Sequence, residues 1–172
     1  MDTVYIEENG VYMLDCTAAI WSTNQIHEHY AQCVSGSFLN DVDFVIETNE
    51  YLLLVEYKNA NIPGAAHPEK FRPERDEKLE NVAKKYYDSL HYLFLAGKNK
   101  PKQFIYIVEY PKGDSTSRKM LRNKLKDRLP FKMQRAISEN RRMIEDVQVL
   151  NIQEWNADEL FGHFPISPVG GT

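Results

Sequence analysis

Residues 38–60 read FLNDVDFVIETNEYLLLVEYKNA, and this stretch decides the fold. Val42, Phe44 and Ile46 alternate with Asp41, Asp43, Val45 and Glu47, the period of two that a strand imposes on its faces. Thr48-Asn49-Glu50 is a turn. Tyr51 to Lys58 is a second strand, apolar on both faces for most of its length, so it belongs inside a sheet. Folding the segment as a hairpin with Asn49-Glu50 at its tip sets Val45 opposite Leu54, Asp43 opposite Glu56 and Asp41 opposite Lys58. Opposed residues share a face, and so do residues two apart. Asp41, Asp43, Glu56 and Lys58 therefore gather at the open end of the hairpin. A slip of one residue would send one strand's set to the other face.

Upstream, VYIEENGVYMLD (4–15) places Asn9-Gly10 between two apolar runs, a two-residue hairpin signal. A helix is expected from about Thr17 to Val34, ended by Ser35-Gly36-Ser37. Downstream, 59–75 is a long loop with three prolines and a glycine, the kind of loop that often carries function. A helix over 76–96 is closed by Gly97. FIYIV (104–108) is another buried strand. Ser115 or Thr116 caps a basic helix to about Arg128, and Pro130 separates it from a second one reaching about Asp146. Val147–Ile152 is a last strand, Asn156 caps a short helix, and SPVGGT ends the chain as a loose tail. The order predicts one α/β (α+β) domain over residues 1–166, a mixed central sheet flanked by helices, with 167–172 as a flexible tail.

The 172 residues carry a net charge of −4, but the charge is segregated. Residues 98–142 hold 14 basic and 4 acidic side chains, against 7 basic and 16 acidic in 1–97. The basic third suits a polyanion, or else is a solvated helix surface. Cys16 and Cys33 are too few for a disulfide framework and show no CxxC spacing. His27 and His29, two apart on a helix, point in different directions and do not make a zinc pair. The chain has no GxxxxGK[ST], GxSxG or HExxH motif. Its N-terminus, MDTVYIEENG, has no signal-peptide pattern, so a cytoplasmic location is the default expectation, and no run is long enough to span a membrane.

The charged cluster has a cost that points to chemistry. Glu56 and Lys58 end a run of buried aliphatics, where an unpaired charge costs several kcal/mol or more. Two carboxylates facing one another across a strand pair repel. A divalent cation between them removes the repulsion, and Mg²⁺ (or Mn²⁺) often takes only one or two carboxylates, with water and phosphate completing its shell. The Tyr57 backbone carbonyl, between Glu56 and Lys58, is a further candidate ligand.

Asp43, followed after twelve residues by Glu56-Tyr57-Lys58, resembles the D…(D/E)-x-K signature of the PD-(D/E)XK nuclease superfamily. The resemblance covers roughly residues 18–110. It implies a core in the order αβββαβ and a Mg²⁺-dependent deoxyribonuclease with Asp43, Glu56 and Lys58 as catalytic residues. It implies Glu28, on the helix before the motif, as a further metal ligand. Lys84, Lys85, Tyr86 or Tyr87, on the helix after it, are candidates for an additional role. The chain departs from the pattern in having Val42 where many members have proline, and Asp41 competes with Asp43 as the key aspartate. Arg118, Lys119, Arg122, Lys124 and Lys126 are the expected phosphate-gripping side chains. DNA is the expected partner, with a homodimer or a protein partner also open. The rival expectation is a nuclease-fold module that binds nucleic acid or protein without cutting.

Overall fold

The computed structural model describes residues 3–171; Met1, Asp2 and Thr172, at the ends of the expected domain and tail, lie outside the described residues. The hairpin read from residues 38–60 forms in the expected register. Strands β4 (Phe44–Glu47) and β5 (Leu52–Asn59) are antiparallel, with Phe44 opposite Val55 and Val45 opposite Leu54. β5 is the middle strand of a mixed five-stranded sheet. Beyond it lie β6 (Lys102–Glu109) and β7 (Asp146–Leu150), both parallel; beyond β4 lies β3 (Trp21–Thr23), antiparallel.

Leu52 to Tyr57 is buried at every position because both faces of the sheet are covered. On one face Leu52, Leu54, Phe104 and Val147 pack against the long helix α2 (Asp76–Leu95) and against α3 (Ser115–Lys126). On the other, Phe44, Leu53, Val55 and Ile105 meet the short helix α5 (Ile152–Ala157), with Trp155 fully buried, and residues of a second sheet. That sheet has the order β1–β2–β8, with β1 Val4–Ile6, β2 Tyr12–Asp15 and β8 Ile166–Pro168. Helices α1 (Ile26–Cys33) and α4 (Phe131–Ile137) complete the set. Among the described residues, no helix is long and apolar enough to cross a membrane.

The mixed α/β architecture is the expected one, and several boundaries differ for identifiable reasons. The helix expected from Thr17 starts only at Ile26, because Trp21–Thr23 is taken up as the edge strand on β4. Aromatic and β-branched residues suit that role, and the Lys98 ammonium lies 4.5 Å over the Trp21 ring. The strand neighbouring the hairpin thus precedes α1 instead of following it, which departs from a strict αβββαβ order. Asn151, not Asn156, caps the last α-helix, in a reciprocal capping box with Glu154. The start of the expected tail is ordered: Ser167 and Pro168 pair with Met13 and Tyr12. At the first hairpin only Gly10 takes positive φ, and the buried Glu7 carboxylate holds the turn by accepting from the N–H groups of Asn9, Val11 and Tyr12.

Helix α2 positions the segment leading into β4. Asn81, Lys84 and Asp88, spaced at three and four residues, lie along one helix face, and Ser89 flanks it. Lys84 Nζ donates to Phe38 O at 2.9 Å, and Asn40 N donates to Asp88 Oδ2 at 2.9 Å. Val42 N donates to the buried Ser89 hydroxyl at 3.0 Å, which itself donates to Lys85 O at 2.7 Å. Ser89→Ala leaves the buried Val42 N–H without an acceptor. It is expected to cost about 1–3 kcal/mol in denaturant unfolding, and an unchanged midpoint would show that this tie does not hold the segment.

Candidate active site

Asp43 stands one residue before β4, held at the place opposite Glu56 by a bond of its own: Tyr57 N donates to Asp43 Oδ2 at 2.8 Å. Glu56 and Lys58 follow on β5, on the face covered by α2. Glu56 has 0% exposure in the middle strand of the sheet. Its Oε1 accepts from Lys85 Nζ of α2 at 2.8 Å, and Lys58 Nζ lies 3.7 Å from the same oxygen. Lys58 is also 3.9 Å from Glu8, at the tip of the β1–β2 hairpin. The Glu56 Oε2 atom is buried and has no hydrogen-bond partner.

Burial raises the Glu56 pKa to about 8, and the neighbouring Asp43 charge pushes the same way; Lys85 and Lys58 pull against them. Burial also raises Asp43, partly offset by Lys85, Lys58 and the Tyr57 N–H. For Lys85 burial works to lower the pKa, but the Glu56 and Asp43 carboxylates outweigh it and hold the ammonium above its ordinary range. The site is therefore two acids and two amines in one cluster, with Glu56 fully buried and Lys58 on its solvent side.

The expected residues divide clearly. Asp43, Glu56, Lys58 and Lys85 come together. Asp41 lies beside them: it pairs with His27 Nδ1 at 3.1 Å and, with Lys85, lines a cavity of about 400 Å³ against α1. Glu28 does not join the site; it is exposed on α1, whose sole buried residue is Ile26, and it shares no hydrogen bond or ion pair with either acid among the described residues. Lys84 is turned to Asp88 and Phe38 O. Tyr86 and Tyr87 donate to Met143 O and Arg128 O, away from the acids. Tyr57 enters through its N–H, while its ring belongs to the core on the opposite face.

The phosphate-gripping set is thinned in the same way. Arg118 is buried, bonded to both oxygens of Glu154 and to Gly113 O. Arg122 is held by Val147 O and Asp146. Lys126 lies 5.0 Å over the Phe131 ring. Lys119 and Lys124 remain exposed. Glu8 carried no sequence signal, because the hairpin's position over the sheet edge is set by long-range packing.

The donor set fits a hard divalent cation. A buried, unpartnered carboxylate oxygen facing a second carboxylate is the kind of defect a cation relieves. Asp43 and Glu56 would hold it, a number of protein carboxylates sufficient for Mg²⁺. Among the described residues no group of three His, Cys, Asp or Glu side chains is placed to hold a metal. Lys85 already offsets one charge on Glu56.

No family model, curated protein or solved structure matches this chain. The functional reading therefore stands on the geometry of these side chains.

A carboxyl whose pKa is raised on folding opposes folding once it must ionise. For Glu56 the loss of stability accrues between its unfolded value near ~4.3 and its folded value of about 8, and is flat above. Melting curves from pH 5 to 8 should show falling stability, on the order of 3 kcal/mol from this group. Glu56→Gln should flatten that slope. An identical slope in the variant would show that Glu56 does not bear the shift.

Proposed function

We propose that the protein is a metal-dependent nuclease that hydrolyses phosphodiester bonds in DNA. The observation that carries this reading is the convergence of Asp43, Glu56 and Lys58 at the ends of two neighbouring strands, with Glu56 Oε2 buried and unpartnered. Asp43 and Glu56 are the metal-holding pair. When bound, the ion supplies positive charge beside the scissile phosphate.

The chain's own groups supply the rest. Lys58, about a third exposed, stands where burial gives way to solvent, so its ammonium can donate to an attacking water and to a phosphate oxygen together. It offsets negative charge that grows as the pentavalent transition state forms. Lys85 holds the Glu56 carboxyl in place at 2.8 Å and pulls against the burial that favours its neutral form, and the Tyr57 N–H fixes Asp43. The acids are thus set in place before substrate arrives, and little reorganisation is left for the chemical step.

One observation favours a second reading. Lys85 Nζ at 2.8 Å from Glu56 Oε1 occupies one flank of the carboxylate with a built-in cation. A nuclease-fold module that binds nucleic acid without cutting would keep such a pair.

The test is cleavage of plasmid and linear DNA with Mg²⁺ or Mn²⁺, with EDTA and Lys58→Ala as controls. Metal-dependent cleavage that falls by about a hundredfold or more in Lys58→Ala is expected, the scale of removing one transition-state donor. Cleavage that survives Lys58→Ala unchanged would contradict the assignment. No cleavage by the wild type under any of these conditions would favour the binding module.

A further inference from the structure

A second feature lies on the same face of the sheet as the acid pair, at the C-terminal ends of the neighbouring strands β5 and β6. β5 and β6 run parallel, with Glu56 beside Tyr106 and Lys58 beside Val108. Side chains two apart share a face, so Tyr106, Val108 and Tyr110 extend the face that carries Glu56 and Lys58, and all three pack in the core under α2 and α3. Tyr110 stands one strand across and two residues beyond Lys58, roughly 8 Å away by strand spacing and rise.

There the end of the long loop, the end of β6 and the first turns of α3 enclose a cavity of about 200 Å³. Part of its wall is aromatic: Phe71 meets Tyr110 edge to face, with centroids 5.7 Å apart. Gly113 lets the Tyr110 ring lie there, since a Cβ at that position would stand 2.7 Å from it. The rest of the lining includes Arg72, Lys112 and Lys124 against one carboxylate, Glu74, which lies 3.8 Å from Arg72. Lys112 and Lys124 engage the rest of the chain through their backbone oxygens, which accept from Ser117 Oγ and Arg128 Nη1. Their ammonium groups make no hydrogen bond or ion pair among the described residues, so the rim offers two uncommitted positive charges.

We infer that this cavity receives one unpaired nucleotide of a DNA strand, its base against Phe71 and Tyr110 and its flanking phosphates on Lys112, Lys124 and Arg72. Aromatic side chains beside a cationic rim are the means by which proteins hold single strands, because every base offers a π-face whatever its sequence. The cavity is smaller than the ~300–1,000 Å³ of drug-sized sites, so it takes one heterocycle, not a stacked pair. The inference rests on the nuclease reading for the direction of the strand, which runs from the cavity towards Lys58. It narrows the substrate class to DNA with an unpaired nucleotide beside the cut: single strands, overhangs or flaps.

The test is binding in EDTA, where cleavage does not interfere. Fluorescence anisotropy compares a fluorescein-labelled single strand of about twelve nucleotides with a blunt duplex of the same sequence. The single strand should bind more tightly. Phe71→Ala should weaken single-strand binding about tenfold, with Phe71→Tyr restoring it. Lys112→Ala with Lys124→Ala should weaken it and lower the slope of log affinity against log salt by about 1.4, as two lost phosphate contacts require. Should Phe71→Ala lower the melting temperature markedly, the lysine pair, whose ammonium groups hold nothing in the fold, decides the matter.

Equal affinity for duplex and single strand, or lysine variants that bind as the wild type does, would overturn the inference. These outcomes separate from the catalytic ones. Metal-dependent cleavage with inert pocket variants removes the pocket and leaves the nuclease. Pocket-dependent binding of single strands with no cleavage removes the nuclease and leaves the pocket.

Discussion

A carboxylate with no solvent exposure sits in the middle strand of this sheet, and the surrounding structure is arranged around it. Glu56 continues a run of Leu52 to Val55 that is buried on both faces. Taking a carboxylate to that depth unpaired costs several kcal/mol. Lys85 meets one of its oxygens at 2.8 Å; the other is left without a partner. Lys85 can do this because α2 lies along the open end of the hairpin, and α2 holds its place by gripping the backbone of residues 38–42 through Lys84, Asp88 and Ser89. The same grip delivers Asp43 opposite Glu56. The acid pair and the helix that neutralises it are therefore one structural unit.

The local part of this unit was legible in the sequence. Alternation in 42–47, the apolar run in 51–55 and the Thr48-Asn49-Glu50 turn pointed to a hairpin, and placing Asn49-Glu50 at its tip chose the register. The outcome is the observed pairing of Phe44 with Val55. The candidacy of Lys85 followed from a helix after the motif, and the structure separates it from Lys84: consecutive helical residues point about 100° apart, so one amine reaches Glu56 and the other reaches Asp88.

What was not legible depended on packing between distant segments. Trp21–Thr23 is three residues long, too short for periodicity to mark, and its strand identity comes from the free edge of β4. With that strand formed, α1 shrinks to eight residues and turns Glu28 outward. Ile166–Pro168 likewise becomes a strand because β2 presents an edge to it. The basic segment 98–142 read as one electropositive surface, yet Arg118 and Arg122 tie α3 to Glu154 and β7. Two charges left uncommitted, Lys112 and Lys124, line the cavity beyond the end of β6.

The central claim is that Asp43 and Glu56 form a cation site and not merely a buried acid pair kept neutral by amines. Its most direct test is an anomalous difference map at the manganese edge from crystals grown with Mn²⁺. The account predicts a peak shared by the Asp43 and Glu56 carboxylates, with Glu56 Oε2 as a ligand. No peak at that place, with Lys85 still the partner of Glu56 and Oε2 still bare, would contradict it.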